Sequence, residues 1–185
     1  MKKTIQFSIL ICLILLTGCS SMSKYDDNEV AAIIKEQEIT VGELRFLYPD
    51  DKALDYLDWA IKVELVKQEI EEMNVDISDK LSVGEDDDWF GQLPPENTED
   101  QGGKQIRKFA ESQAKKLNMK TEEFQKQYAK IINEQNAYMV TYLEEKTGIE
   151  NVEDETALDE LNEKGDALLE ELVKENKDEI EVLIQ

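Results

Sequence analysis

The sequence predicts a mainly α-helical protein with one small β-sheet that joins the two ends of the folded domain. Apolar residues recur at intervals of three and four along several long stretches after Asp51, which is the spacing of one face of a helix. Two short runs, Val30–Ile34 and Glu179–Ile184, flank these stretches and are typical of strands. Because an isolated strand would leave its backbone groups unpaired, we expect the two runs to pair with each other.

The first 29 residues precede this domain and carry the pattern of an export signal. Two lysines are followed by an apolar segment, residues 5–16, that is too short to span a membrane. Leu16-Thr17-Gly18-Cys19 comes next, and only a thiol can form the thioether that carries diacylglycerol. We therefore predict lipidation of Cys19. The chain then divides into a lipoprotein signal peptide (1–18), a flexible polar tether (19–29) and a single domain (30–185).

A cleaved signal with a chance cysteine is the alternative to lipidation. The position of Cys19 directly after the apolar segment favours lipidation. Cys12 would leave with the signal peptide, so acylation of Cys19 would leave the mature chain without a free thiol, and we expect no disulfide. The predicted location is the extracytoplasmic face of the cell membrane, with the lipid as anchor.

Composition narrows the possible partners. The chain carries 43 acidic and 21 basic residues and no histidine, a net charge of −22. Such a charge repels phosphates, so nucleic acid is an unsuitable partner and anionic headgroups are disfavoured, whereas cationic unfolded segments would be attracted. A soluble, colloidally stable surface is the simpler explanation of the same charge. The lack of histidine excludes histidine-based catalysis and histidine metal sites.

The stretch from Val30 to Ile77 supplies the strongest local signals. After Val30–Ile34 comes a polar turn, and Ile39 is a candidate start of a return strand. Thr40 and Glu43 have the spacing of a capping box, so a helix begins here and ends at Pro49. A long helix is predicted over Asp51–Met73. Its aromatic residues Tyr56 and Trp59 are expected in the core, and Leu81 and Val83 are expected to dock on it.

Residues 84–103 are the least regular part of the chain. The four acids of residues 85–88 suggest a calcium site, since Ca²⁺ prefers several oxygen ligands, but their spacing matches no EF-hand loop. We assign no metal site and leave cation binding at 85–88 open. Trp89 and Phe90 either fill the core or form part of an apolar binding surface, and the core is favoured.

Further helices are predicted in the C-terminal half. Gly102-Gly103 begins one that Asn118 ends, and Thr121 caps the next, which Gly148 ends. The latter carries an apolar seam at steps of three and four: Phe124, Tyr128, Ile131, Gln135, Tyr138 and Tyr142. We expect its three tyrosines in the core, with a sticky groove as the alternative.

The last helix is predicted to begin near Thr156 and to end at Asn176. Gly165 interrupts its leucine pattern. Because glycine lowers helix propensity, close approach of another helix would be one reason for its presence.

One stretch of this sequence resembles a known family. The resemblance lies in the order of four features: Val30-Ala31-Ala32-Ile33, a tight turn, Ile39-Thr40 with Glu43-Leu44, and a long helix that ends near Met73–Ser78. This order is similar to that of the N-terminal domain of the SurA/PrsA family of extracytoplasmic folding factors. The resemblance implies a SurA N-terminal-like helical domain and a chaperone role. It covers residues 30 to about 148 and extends more weakly to the last helix and strand. No prolyl isomerase domain fits between the helices, and no catalytic or binding residue carries over.

The expected function is therefore that of a membrane-tethered, non-enzymatic, chaperone-like lipoprotein. Its partners would be unfolded or secreted polypeptides, with the membrane reached through the lipid on Cys19 and with no cofactor, metal or catalytic residue. The alternative is a non-catalytic interaction subunit that binds one dedicated folded partner at the membrane. An enzyme is not expected, because the sequence has no nucleophile–base pair, phosphate-binding loop or metal-ligand cluster.

Overall fold

The computed structural model describes residues 24–81 and 91–148, and residues 155–184 with side chains from residue 163 onward. Within these residues the chain forms three strands and six helices, which confirms a mainly helical protein with a small sheet. In chain order the elements are β1 (Val30–Ile34), β2 (Gln37–Thr40), α1 (Val41–Leu47), α2 (Leu57–Met73), α3 (Ser78–Leu81), α4 (Gln101–Lys116), α5 (Thr121–Thr147), α6 (Glu155–Glu175) and β3 (Ile180–Val182).

The sheet joins both ends of the domain, as predicted. Its strand order is β2-β1-β3, and both pairs are antiparallel. Backbone hydrogen bonds extend the β1–β3 ladder at each end: Lys35 N donates to Glu179 O and Leu183 N donates to Ala31 O, both at 2.9 Å. The central strand β1 thereby receives partners on both edges, and the predicted return strand at Ile39 is confirmed as β2.

The start of α1 is set by local chemistry and by one close backbone contact. The Thr40 side chain accepts from Glu43 N, and the Glu43 carboxylate accepts from Thr40 N, so the predicted capping box is confirmed. Gly42 N donates to Asp27 O at 2.8 Å. A Cβ atom at Gly42 would lie 2.9 Å from that oxygen, so only glycine fits there.

The second predicted helix begins later than the sequence indicates. Residues Ala53–Tyr56 form a 3₁₀ turn, and α2 starts at Leu57 rather than Asp51. The backbone here uses i→i+3 bonds, with Lys52 N donating to Pro49 O at 2.9 Å. Pro49 indicates a turn at this point of the sequence, but it does not distinguish a 3₁₀ turn from the first turn of an α-helix.

Three predicted core residues are exposed instead. Trp59 and Tyr56 retain 41% and 42% of their surface accessible, and Leu81 retains 45%, so all three predictions are wrong. The buried face of α2 contains Leu57, Ile61 and other apolar residues, and Trp59 lies two residues, or about 200°, around the helix from Leu57. Val83 lies outside the described residues.

The caps of the later helices differ by a residue or two from prediction. The α4 helix begins at Gln101, because the Asp100 carboxylate accepts from Gly103 N. Lys120, not Thr121, is the N-cap of α5. The predicted stops are confirmed: Asn118 and Gly148 adopt left-handed backbone conformations after α4 and α5. Asn176 directly follows α6.

Two clusters of buried side chains stabilise the fold. The main cluster joins the sheet, α1, α2, the C-terminal half of α5 and the end of α6. The second, here called the aromatic cluster, contains Phe124 of α5 with Ala110 and Ala114 of α4, and Phe46, Phe109 and Tyr128 pack against it. The α5 helix contributes to both clusters.

Gly165 lies where α6 approaches α5, as expected. A Cβ atom at Gly165 would lie 3.2 Å from Leu143 Cδ2. That distance is below ordinary van der Waals contact, so a larger side chain would push α6 away from α5.

Enlarging Gly165 should therefore destabilise the protein. We expect Gly165→Leu to lower the free energy of unfolding by about 1–3 kcal/mol through overpacking. Ala167→Leu is the matched control, since Ala167 is exposed on the same helix. Urea unfolding followed by circular dichroism measures both variants, and equal stabilities would contradict the close packing.

Tyr48 and Tyr56 form a stacked pair beside the turn that precedes α2. Their ring centroids are 4.1 Å apart and the rings are parallel within 1°. Burial raises the pKa of Tyr48 from 10.0 to about 12, and the nearby Tyr128 and Tyr56 add to the increase.

Alkaline pH should weaken the fold partly through Tyr48. The folded state holds the Tyr48 proton more tightly than the unfolded chain does. The contribution of this proton to the free energy of unfolding is therefore complete below pH 10.0 and is lost as the pH rises through about 12. We expect Tyr48→Phe to lose less stability than the wild type over that interval, since phenylalanine cannot ionise. Urea midpoints across the interval measure the difference, with Tyr25→Phe as the control for loss of a hydroxyl. Parallel pH profiles for wild type and Tyr48→Phe would be the contrary result.

Candidate functional site

An open cleft lies between the two clusters. One wall is formed by β2 and α1, within residues 37–47, and the other by residues 60–67 of α2 and 131–138 of α5. Its volume is about 620 Å³. This size falls within the range of about 300–1,000 Å³ that is usual for ligand pockets.

The floor of the cleft is apolar. Leu47 of α1 and Ile131 of α5 line it, and neither belongs to the main cluster or to the aromatic cluster. Ile39, Val63 and Tyr138 add further apolar surface from β2, α2 and α5. Ile131 is only half-buried, so it offers surface to a ligand. Contact of these side chains with an apolar ligand would remove that surface from water.

The predicted seam of α5 explains why the cleft forms there. Phe124 and Tyr128, at its start, pack in the aromatic cluster, and Tyr142, at its end, is buried in the main cluster. The middle of the seam, Ile131 and Gln135, lines the cleft, and so does Tyr138. Core burial is therefore confirmed for Tyr142, whereas Tyr138 is partly buried against the main cluster and also lines the groove that was the alternative. Gln135 is the one polar member of the seam and marks the open segment.

Aromatic contacts hold the α1 wall in place. Phe46 extends from α1 to Phe124 of α5, with ring centroids 5.1 Å apart, and also lines the cleft. Phe109 of α4 meets Phe124 edge-on at 5.8 Å. Such aromatic pairs add about 0.5–1.5 kcal/mol beyond the burial of their area. The α1 helix is thus fixed between the sheet and the α4–α5 pair.

A buried glutamine caps the C-terminus of α1 from α4. Gln113, which is 3% exposed, donates from Nε2 to the backbone oxygens of Arg45 (2.9 Å), Phe46 (3.1 Å) and Tyr48 (3.0 Å). Lys116 Nζ also donates to Arg45 O, at 2.6 Å. These are carbonyls that the helix itself leaves without partners, and a cation is favoured at this end of the helix dipole.

The rim of the cleft is mainly acidic. Its charged lining residues are Asp27, Glu38, Glu43, Glu64, Glu134 and the single cation Lys67. Lys67 Nζ lies 6.0 Å from the centre of the Tyr138 ring. Three of the five acids have roles within the fold, as partners of Arg45, Thr40 and Gln68. The cleft therefore combines an apolar floor with a field that attracts cations.

The Tyr138 hydroxyl is protonated at neutral pH. Burial is the largest cause that raises its pKa, and the Glu71 and Glu134 carboxylates raise it further, while Lys67 lowers it. The phenol therefore donates a hydrogen bond to the Glu71 carboxylate without carrying charge itself.

None of the residues that the sequence singled out for chemistry belongs to the described part of the chain. Cys19, the acids 85–88 and the Trp89-Phe90 pair fall outside the described residues. Among the described side chains, those of residues 24–81, 91–148 and 163–184, no group of three or more Asp, Glu, Cys or His residues is arranged to hold a metal ion. Over the same part of the chain, no helix is both long and apolar enough to cross a membrane.

Sequence reasoning did not locate the cleft, and it missed Gln113. The partners of Gln113 are backbone carbonyls 65 to 68 positions earlier in the chain, so no local pattern identifies them. Comparison with family models, curated proteins and solved structures found no match for this chain.

Replacing Gln113 should weaken the attachment of α4 to α1. We expect Gln113→Leu to lower the free energy of unfolding by about 1–3 kcal/mol, because the carbonyls lose a buried donor. Gln105→Leu, on the exposed side of the same helix, should change stability by no more than about 0.5 kcal/mol. Chemical denaturation of both variants measures the difference, and a neutral Gln113→Leu would show that Lys116 or water is a sufficient cap.

Proposed function

We propose that this protein is a non-enzymatic, chaperone-like lipoprotein that holds apolar segments of unfolded or secreted polypeptides in the cleft. A lipid on Cys19 would tether it to the outer face of the cytoplasmic membrane. The observation that carries the proposal is the apolar lining of the cleft between the two clusters, where Leu47 and Ile131 belong to neither cluster and Ile131 is only half-buried. Contiguous apolar surface with a polar rim is typical of a binding site.

The mechanism would be weak contact rather than chemistry. The cleft supplies apolar side chains for burial and an acidic rim that repels other copies of the chain. Thr40, whose hydroxyl could otherwise act at the rim, is engaged with Glu43 in the capping box. Weak contacts would let a client leave and fold after binding.

Membership of the SurA/PrsA family is part of the proposal. The support is the order of elements: a hairpin, a capped short helix, a long helix and a C-terminal strand that returns to the N-terminal one. In this reading the chain corresponds to the chaperone part of the family without an isomerase domain.

Binding of one dedicated folded partner is the second candidate. It is favoured by the exposure of Trp59 and Tyr56 at the start of α2. Tryptophan and tyrosine are enriched among the residues that dominate protein–protein affinity. In this case membrane pull-down would return one stoichiometric protein, and Trp59→Ala would lose it.

The cleft can be tested with a matched pair of substitutions on α5. Ile131→Gln places an amide on the floor, whereas Val140→Gln makes the same kind of change at a residue that is 45% exposed and does not line the cleft. The assay is light scattering of a chemically denatured client after dilution, with the full chain in neutral phosphatidylcholine nanodiscs and empty nanodiscs as the blank. We expect the wild type and Val140→Gln to suppress aggregation near equal molar ratio and Ile131→Gln to suppress it less.

Two outcomes would count against the proposal. Unchanged scattering with folded wild-type protein would remove the general chaperone function and favour the dedicated partner. Equal suppression by Ile131→Gln and Val140→Gln would show that clients bind outside the cleft.

A further inference from the structure

We propose that the occupant of the cleft is an extended polypeptide segment in which lysine or arginine side chains stand beside apolar ones, and that it lies along the free edge of β2. The inference rests on the proposed function and specifies the client. Three features of the described residues support it: the charge of the rim, the availability of two carboxylates, and the backbone of β2.

The charge of the rim favours cationic ligands over anionic ones. Five carboxylates and one ammonium group line the cleft, and the whole chain carries a net charge of −22. An acidic segment, or the carboxylate of a fatty acid, would enter against this field, whereas lysine and arginine would be attracted. The apolar floor lies below the rim, so the matching ligand has both kinds of side chain.

Two of the rim carboxylates are available to a ligand. Glu38 on β2 and Glu134 on α5 stand on opposite walls of the cleft. Glu38 is exposed and Glu134 is half-buried. Within the described part of the chain, neither carboxylate takes part in an ion pair or hydrogen bond of the fold. A cationic side chain between them would therefore form contacts without breaking existing ones.

The backbone of β2 favours an extended ligand. β2 is an edge strand, and Glu38 lies opposite Ile33 of β1. The Lys35–Glu179 and Leu183–Ala31 bonds place the backbone groups of odd-numbered β1 residues, including Ile33, towards β3. In an antiparallel pair, two residues that lie opposite each other direct their N–H and C=O groups either both towards the partner strand or both away from it. Because the backbone groups of Ile33 point away from β2, the N–H and C=O of Glu38 point away from β1, to the free edge.

The available edge is short. The Thr40 N–H is already bonded to the Glu43 carboxylate at 2.6 Å, so Glu38 supplies the donor that a peptide strand would use. The Glu38 carbonyl oxygen accepts a long hydrogen bond of 3.4 Å from the exposed Gln37 Nε2, and a peptide N–H would replace this donor. One residue pair gives two hydrogen bonds, as in the addition of a strand to a sheet edge. Main-chain bonds of this kind are independent of sequence. They would align a client, while the floor and rim select its side chains.

Blocked nine-residue peptides test the inference. Valine alternates with lysine in one and with glutamate in the other, and a third is the lysine peptide with N-methyl groups on alternate residues. Fluorescence anisotropy of the dansyl-labelled peptides with the full chain in neutral nanodiscs measures Kd. We expect the lysine peptide to bind at least about fivefold more tightly than the glutamate peptide, the effect of about one close charge pair in water, and to weaken as salt is added. N-methylation should also weaken binding, because it removes backbone donors.

A pair of double variants separates the rim from overall charge. Glu38→Gln with Glu134→Gln should weaken binding of the lysine peptide about fivefold. Glu145→Gln with Glu163→Gln removes the same charge from exposed residues outside the cleft and should leave Kd unchanged. Circular dichroism checks that each variant is folded.

The outcomes distinguish this inference from the proposed function. Equal binding of lysine and glutamate peptides by a protein that suppresses aggregation would overturn the inference and leave the proposed function standing. Equal loss of binding in both double variants would also overturn it, and undiminished binding of the N-methylated peptide would overturn the strand pairing. Absence of both peptide binding and aggregation suppression would overturn the inference and the proposed function together.

Discussion

The length of α5 is the constraint on which the rest of the structure depends. Its 27 residues extend about 40 Å, farther than one small cluster of side chains can cover. Its first turns pack with α4 and Phe46, and its last turns pack with α2 and α6. The middle of the helix crosses the space between these two clusters, where the half-buried Ile131 lines the cleft together with Gln135 and Tyr138. The cleft is the direct consequence.

The rest of the fold anchors both walls of this cleft. The α1 wall is tied to the sheet through the capping box at Thr40 and to α4 through Gln113, so both ends of a seven-residue helix are capped. Such a short helix would not be stable alone, because nucleation is costly. The opposite wall is anchored by α2, which packs against β1, α5 and α6. Pairing of β3 with β1 closes the main cluster from the C-terminal side.

The chemical character of the cleft follows from the same geometry. Residues on the floor, such as Ile131, are apolar because they continue the seam by which α5 packs at both ends. Residues on the rim lie at the boundary with solvent, where an acidic composition places carboxylates. An apolar floor under an acidic rim discriminates by the sign of charge as well as by apolarity, which is the physical basis of the cationic, apolar ligand that we propose.

Local sequence by itself determined the strands, all helices except the short α3, and the residues at which most of the helices end. The hairpin, the capping box at Thr40, and the stops at Asn118 and Gly148 depend on neighbours within a few residues, so they could be predicted, as could the pairing of the terminal strands from the need to satisfy backbone groups. The tertiary structure decided which apolar faces are covered. Periodicity identifies an apolar stripe on a helix but not the element that covers it, so Trp59 and Leu81 were assigned wrongly to the core. For the same reason, the seam of α5 did not indicate which of its residues line the cleft. Gln113 and the cleft exist only through contacts between residues far apart in the chain, which no local pattern encodes.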